Sequence, residues 1–184
     1  MTPDPPELFL RPPPPGLTRE SRIRLDREGR FWHEGARVEH PGLQKAFSAW
    51  VARHPVDGRY VLQNGQDWCY LEVEDTPFQV VSVVFGPSGE ERPEGEGASG
   101  GELLLSDGTS EPLEPSLLAV DDEGVLFATV KAGHFEARFS RQAQLELGEA
   151  LVEGDEVDET SEVAPPALAL GGRRWRLSRR KAPR

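Results

Sequence analysis

The sequence has few of the residues that cross-link a chain or carry it through a membrane. It holds a single cysteine, Cys69. One cysteine cannot close an intramolecular disulfide, so a reducing, cytoplasmic setting is expected. No window approaches the roughly 18 consecutive apolar residues of a membrane-spanning helix, and no span is expected. The opening MTPDPPELFLRPPPPG has no basic n-region and no long apolar run, and is not expected to act as a signal peptide. Lysine is scarce, three of 21 basic residues. That bias looks like GC-rich coding and strips any single arginine of diagnostic weight. There is no Gly-x-Ser-x-Gly elbow and no phosphate-cradling GxxxxGK[ST] loop, and Gly95-x-Gly97 does not follow a strand. The four histidines, His33, His40, His54 and His134, do not pair at metal-ligand spacing, and Cys69 has no ligand partner. No metal site, cofactor or catalytic residue is assigned.

What is present is unevenly distributed. Net charge is −11, which argues against a uniform nucleic-acid footprint. Residues 153–164 carry six acids and no base, and residues 165–184 carry seven bases and no acid. The 17 prolines and 19 glycines are clustered, so part of the chain folds and part is expected to be tail. Residues 1–18 read as a proline-rich disordered leader, with PPPP favouring polyproline II. Residues 19–152 read as one α+β domain holding a flexible loop at 86–101. Residues 153–184 read as an acidic linker followed by a basic tail.

Periodicity supplies the elements. Ile23, Leu25 and Phe31 alternate around Glu28-Gly29, which predicts a hairpin. Leu43, Ala46, Phe47, Trp50 and Val51 share one face of a helix starting at Pro41 and ending near His54-Pro55. In RYVLQNGQDWCYLEVEDTPF, a two-residue Asn64-Gly65 turn would set Val61 opposite Trp68 and Arg59 opposite Tyr70. One face then carries Tyr60, Leu62, Cys69, Leu71 and Val73, expected as core. The other carries Arg59, Val61, Trp68, Tyr70 and Glu72. A turn at Ala132-Gly133 puts Leu126, Ala128, Val130, Phe135, Ala137 and Phe139 on one face, with Arg138 opposite Phe127 on the other. Ser140 caps a closing helix, 141–152. The two hairpins share so much that two similar tandem units are expected, at about 19–85 and 102–152, each mainly antiparallel hairpins with one helix, sharing a core.

IRLDREGRFWHEG, DGRYVLQNGQDWCYLEVEDTPF and KAGHFEARFSRQAQLELGEAL resemble the bacterial family called domain of unknown function 1285, over about residues 21–152. The resemblance implies an α+β fold with two repeated motifs in tandem and a signalling or ligand-binding role. The loop at 86–101 and the acidic-then-basic tail depart from the family pattern.

Three functions compete. The leading expectation is a non-enzymatic module that binds a small ligand or a partner segment in a groove between its halves. Its candidate residues are Arg59, Trp68, Tyr70, Glu72, His33 and Arg138. A Trp and a Tyr opposite the core face must be covered by the protein itself or by a ligand. The second is an enzyme using Glu72, Glu74 or His33 as acid or base; solvated edge charges are the plainer account. The third is binding of nucleic acid or an anionic surface through Arg173, Arg174, Trp175, Arg176, Arg179 and Arg180. Against it stand a solvated end, a tail folded onto the acidic run, and a small hairpin about Gly171-Gly172.

Overall fold

Two aspartates each hold a hairpin together in the same way. Asp26 Oδ1 accepts from the backbone N–H groups of Glu28 and Arg30, while its own N–H donates to the Arg30 carbonyl. Asp121 Oδ1 accepts from Glu123 and Val125, and its N–H donates to the Val125 carbonyl. Gly29 and Gly124 complete the turns at φ 77° and 79°, a conformation that costs glycine little. The computed structural model describes residues 6–85, 101–152, 166–170 and 172–180. The chain forms two units, Met1–Pro77 and Phe78–Arg184, and the described elements are α+β, mostly antiparallel strands with few helices.

Unit 1 runs α1 (Glu7–Leu10), β1 (Ile23–Leu25), β2 (Phe31–His33), β3 (Ala36–Arg37), α2 (Pro41–Trp50), β4 (Val51–Arg53), β5 (Tyr60–Gln63), β6 (Trp68–Tyr70) and β7 (Glu72–Val73). Its sheets have the orders β3-β2-β1-β7 and β4-β5-β6, with β7 parallel to β1. Leu25, Phe31, Val61, Leu62 and Leu71 are buried, and Phe47 of α2 packs edge-on to Phe31 at 5.3 Å.

Unit 2 runs β8 (Phe78–Phe85), β9 (Gly101–Leu105), β10 (Ser110–Pro112), β11 (Leu118–Val120), β12 (Leu126–Val130), β13 (Phe135–Phe139), α3 (Arg141–Gly148), β14 (Leu151–Val152), β15 (Ala167–Leu170), β16 (Arg173–Arg176) and β17 (Ser178–Arg179). The larger sheet has the order β10-β9-β8-β13-β12-β11-β17 and the smaller β14-β15-β16. Leu126, Ala128, Val130, Ala137 and Phe139 are buried with Ala143 and Leu147 of α3. Their hairpin has the expected register, with Phe127 opposite Arg138.

One wiring occurs in both units. The run β1-β2-β3-α2-β4-β5-β6-β7 matches β11-β12-β13-α3-β14-β15-β16-β17 in order and pairing. Leu25 pairs with Val73 as Val120 pairs with Arg179, and Leu62 pairs with Val51 and Cys69 as Leu168 pairs with Leu151 and Trp175. The Leu71 N–H donates to Tyr60 O as that of Leu177 donates to Pro166 O.

Several expectations are corrected. The 59–70 and 126–138 hairpins are not counterparts, and the strand at 78–85, expected in the first half, pairs with β9 and β13 in unit 2. Residues 166–179, expected as tail, form three strands, including the hairpin foreseen about Gly171-Gly172; the acidic run and the 86–100 loop lie outside the described residues. The leader is not wholly without structure, since α1 forms within it. α2 stops at Trp50, because Val51 turns extended (φ −62°, ψ 126°) to pair with Leu62. α3 stops at Gly148, and Leu151 joins β14. The Asn64 hairpin has a four-residue loop, not a two-residue one. Asn64 Oδ1 accepts from the N–H groups of Gln66 and Asp67, so Val61 faces Tyr70 and Gln63 faces Trp68. The slip is two residues, so each side chain keeps its face.

Candidate functional site

The loop between β4 and β5 brings His54 back over β6. Pro55 ends β4, and Asp57-Gly58 reverses the chain, with Gly58 at φ 71°. His54 then stacks at 4.9 Å from Trp68 and 5.7 Å from Tyr70, and Trp68 meets Tyr70 edge-on at 5.2 Å. Phe9 of α1 closes the cluster, 5.3 Å from His54 and 5.5 Å from Trp68. The leader therefore supplies the cover that Trp68 needs.

Two guanidinium groups lie on ring faces. Arg59 sits 3.6 Å over Tyr70 and holds Glu20 through two hydrogen bonds of 2.8 and 2.9 Å. Arg19 sits 4.6 Å over Trp68, pairs with Asp67, and donates to the Trp68 carbonyl at 2.6 Å. Its other terminal nitrogen donates to Arg11 O at 2.9 Å and Pro12 O at 3.0 Å. Tyr70 donates its hydroxyl proton to Asp57 Oδ2 at 2.7 Å, and His54 Nδ1 lies 3.1 Å from Asp57 Oδ1. Burial pushes the Asp57 carboxyl up, but the Tyr70 hydroxyl, the Arg59 N–H and the charges of His54 and Arg59 together hold it below the usual range. The hydrogen bond to Asp57 raises the Tyr70 hydroxyl above its ordinary value. Burial raises the Cys69 thiol, which makes it a poor nucleophile.

Two donors in this cluster have no acceptor. Trp68 Nε1 and Arg19 Nε are both shielded from solvent without a hydrogen-bond partner. Trp68 is only 7% exposed, and a buried donor left unmade costs about 1–3 kcal/mol. The arrangement has rings for stacking, cations over them and spare donors for a carbonyl or an anion.

The other predicted residues lie elsewhere. Glu72 pairs in register with Arg24, which in turn lies opposite Trp32, placing these three on one face. His33 lies opposite Ile23 and Ala36, on the other face. Glu74 is tied to Arg24 and to the Arg27 N–H at 3.2 Å. The acid–base trio of Glu72, Glu74 and His33 is therefore not assembled. Arg138 belongs to unit 2, 5.6 Å from the Phe127 ring. Arg180 lies 3.7 Å over the same ring and pairs with Glu136 at 3.2 Å, and Arg179 pairs with Asp122 at 3.1 Å. Phe127, expected on an outer face, is thereby buried. Arg173, Arg174 and Arg176 are exposed along β16, with Trp175 half-buried.

Unit 2 also contains a cavity of about 420 Å³, lined by Leu103, Leu118, Ala128 and Val130 with Glu111 and Glu114. Glu111 already accepts from the Lys131 N–H at 3.0 Å. Among the described residues there is no cluster of three or more His, Cys, Asp or Glu able to hold a metal, and no helix is long and apolar enough to cross a membrane.

A solved structure of a DUF1285 family protein from Silicibacter pomeroyi superimposes with a TM-score of 0.61 over 97% of this chain and 90% of that one, at 20% identity. The fold is that of a DUF1285 family protein. A second DUF1285 structure, from Shewanella baltica, matches 67% of this chain and 87% of that one, at 16% identity and a TM-score of 0.49. No protein-family model matches the chain, and no curated protein matches it. The DUF1285 fold agrees with the family that the sequence motifs resemble.

On this DUF1285 scaffold, sequence reading found Arg59, Trp68 and Tyr70 and missed Phe9, Arg19, His54 and Asp57. The Arg59–Tyr70 contact was expected from a register that does not occur; the long guanidinium reaches diagonally instead. Phe9 had a signal, an aromatic in an otherwise proline-rich leader. His54 had none, because its place depends on how β4 returns to β5.

Proposed function

We propose that the protein is a non-enzymatic binding module with a signalling role, and that the His54–Arg59–Trp68–Tyr70 cluster of unit 1 is its binding site. The observation that supports this most is the pair of shielded, unpartnered donors, Trp68 Nε1 and Arg19 Nε, inside a group of stacked rings. Folding alone gains nothing from an orphaned indole N–H, whereas a ligand acceptor would satisfy it. The unassembled Glu72, Glu74 and His33 give catalysis less support.

The test is thermal unfolding of the full chain against nucleotides, second messengers, sugars and amino acids. A ligand at 100 times its dissociation constant adds about 2.7 kcal/mol. A hit is expected to disappear in the double variant Arg59→Ala, Trp68→Phe. Undiminished binding by that variant removes the site.

A second reading rests on the exposed arginines of β16, Arg173, Arg174 and Arg176. Binding of DNA or anionic vesicles should then fall with rising salt and be lost when the three become alanine. Truncation is no test, because it removes strands of unit 2.

A further inference from the structure

The leader occupies the aromatic cluster as a peptide ligand would. Arg11 has φ −67° and ψ 133°, close to polyproline II, and prolines follow it through Pro15. Such a segment offers carbonyl oxygens and no internal hydrogen bonds. Arg19 takes two of those carbonyls, from Arg11 and Pro12, while Phe9 fills the gap beside His54 and Trp68. Aromatic platforms with nearby donors are how proline-rich segments are generally held. In this case the platform and the segment belong to one chain.

The hold is slight. α1 has four residues, no side-chain cap and no buried residue, far short of a helix stable by itself. Leu10 and Leu17 stay 66% and 68% exposed. The cover also leaves Trp68 Nε1 without an acceptor. A segment whose carbonyl met that N–H would satisfy a donor that the leader leaves orphaned.

Resting on the reading of this cluster as the binding site, we infer that its partner is an external proline-rich segment carrying an aromatic residue, and that the leader competes with it for the same place. The leader is then an internal competitor, present at an effective concentration of order millimolar.

The probe is a synthetic peptide of residues 6–16, PELFLRPPPPG, titrated into the full chain. Its affinity is read by calorimetry, and its place by the indole N–H resonances of the 15N-labelled protein. The peptide should bind the Phe9→Ala chain at least about tenfold more tightly than the unaltered chain, because the competitor is weakened. It should move the Trp68 indole signal. Equal binding with and without Phe9, or no shift of the Trp68 signal, overturns the proposal. So does concentration-dependent dimerisation of the Phe9→Ala chain with no peptide bound, which would make a second copy the occupant. If the panel ligand binds at Trp68 and the peptide does not, the site stands and the segment proposal fails. If neither binds, both fall.

Discussion

The smaller sheets of the two units have the same strands in the same register and opposite surface chemistry. In unit 1, Gln63 faces Trp68 and Val61 faces Tyr70; in unit 2, Ala169 faces Arg174 and Ala167 faces Arg176. An aromatic pair on a strand face must be covered, and Phe9, His54 and Arg19 cover Trp68. An arginine pair needs no cover, and Arg174 and Arg176 are exposed. The wiring sets where a side chain stands, and the residue type sets whether that place must be closed. Recognition surfaces can therefore differ between two copies of one topology without any change to the scaffold.

If both sheets are equally integral, truncating the central leucine of either should cost much the same. Leu168→Ala and Leu62→Ala remove side chains that are 0% and 4% exposed, and each should lose about 3 kcal/mol in urea unfolding. A near-silent Leu168→Ala would return residues 166–179 to the status of a tail.

The paired aspartate turns should differ more. Asp26 is 4% exposed and also accepts from Arg30 Nε at 2.7 Å and Trp32 Nε1 at 2.8 Å. Asp26→Ala should cost roughly 3 kcal/mol by stranding these donors, and Asp121→Ala about 1. Equal losses would mean that the backbone bonds alone matter.

Acid sharpens the same contrast. Burial pushes the Asp26 carboxyl up, but the Arg30 backbone N–H, the Trp32 indole and the Arg30 side chain together hold it below its usual range. A lowered folded pKa means stability that is complete above the unfolded value near 4 and lost as pH falls through the folded value. Below about pH 4 the Asp26→Asn protein should therefore lose stability less steeply than the unaltered chain. Parallel acid limbs in the two would refute the assignment.

The smallest effect is expected at Arg59, whose side chain is 51% exposed. Arg59→Ala should change stability by under about 1 kcal/mol, so any loss of ligand in that variant reports binding and not unfolding.

Much of this was legible in the residues. The Leu126–Phe139 hairpin reads correctly because a clean two-sided pattern tolerates only one register. The division of the Asn64 hairpin into two faces also reads correctly, but not which one is core, since Val61 and Trp68 are buried while Tyr60 and Cys69 are half-buried; nor does its loop length, because Asn64 satisfies two loop donors with its own side chain, and periodicity carries no trace of that. The strand pairs that close each main sheet, β1 with β7 and β11 with β17, link residues 48 and 59 apart, beyond any local signal. Charge misled most. Seven bases in 165–184 suggested a solvated tail, but the alternation of Leu168, Trp175 and Leu177 belongs to a sheet, with Arg174 and Arg176 on its other face.

The parallel pairing of β17 with β11 also sets the order in which the chain can fold as it is made. The strands of unit 1 lie within residues 23–73, so its sheets can close once those residues leave the ribosome. β11 at Leu118–Val120 waits for Ser178–Arg179. Until then the nascent chain presents an unpaired strand edge, at which a neighbouring nascent chain could add.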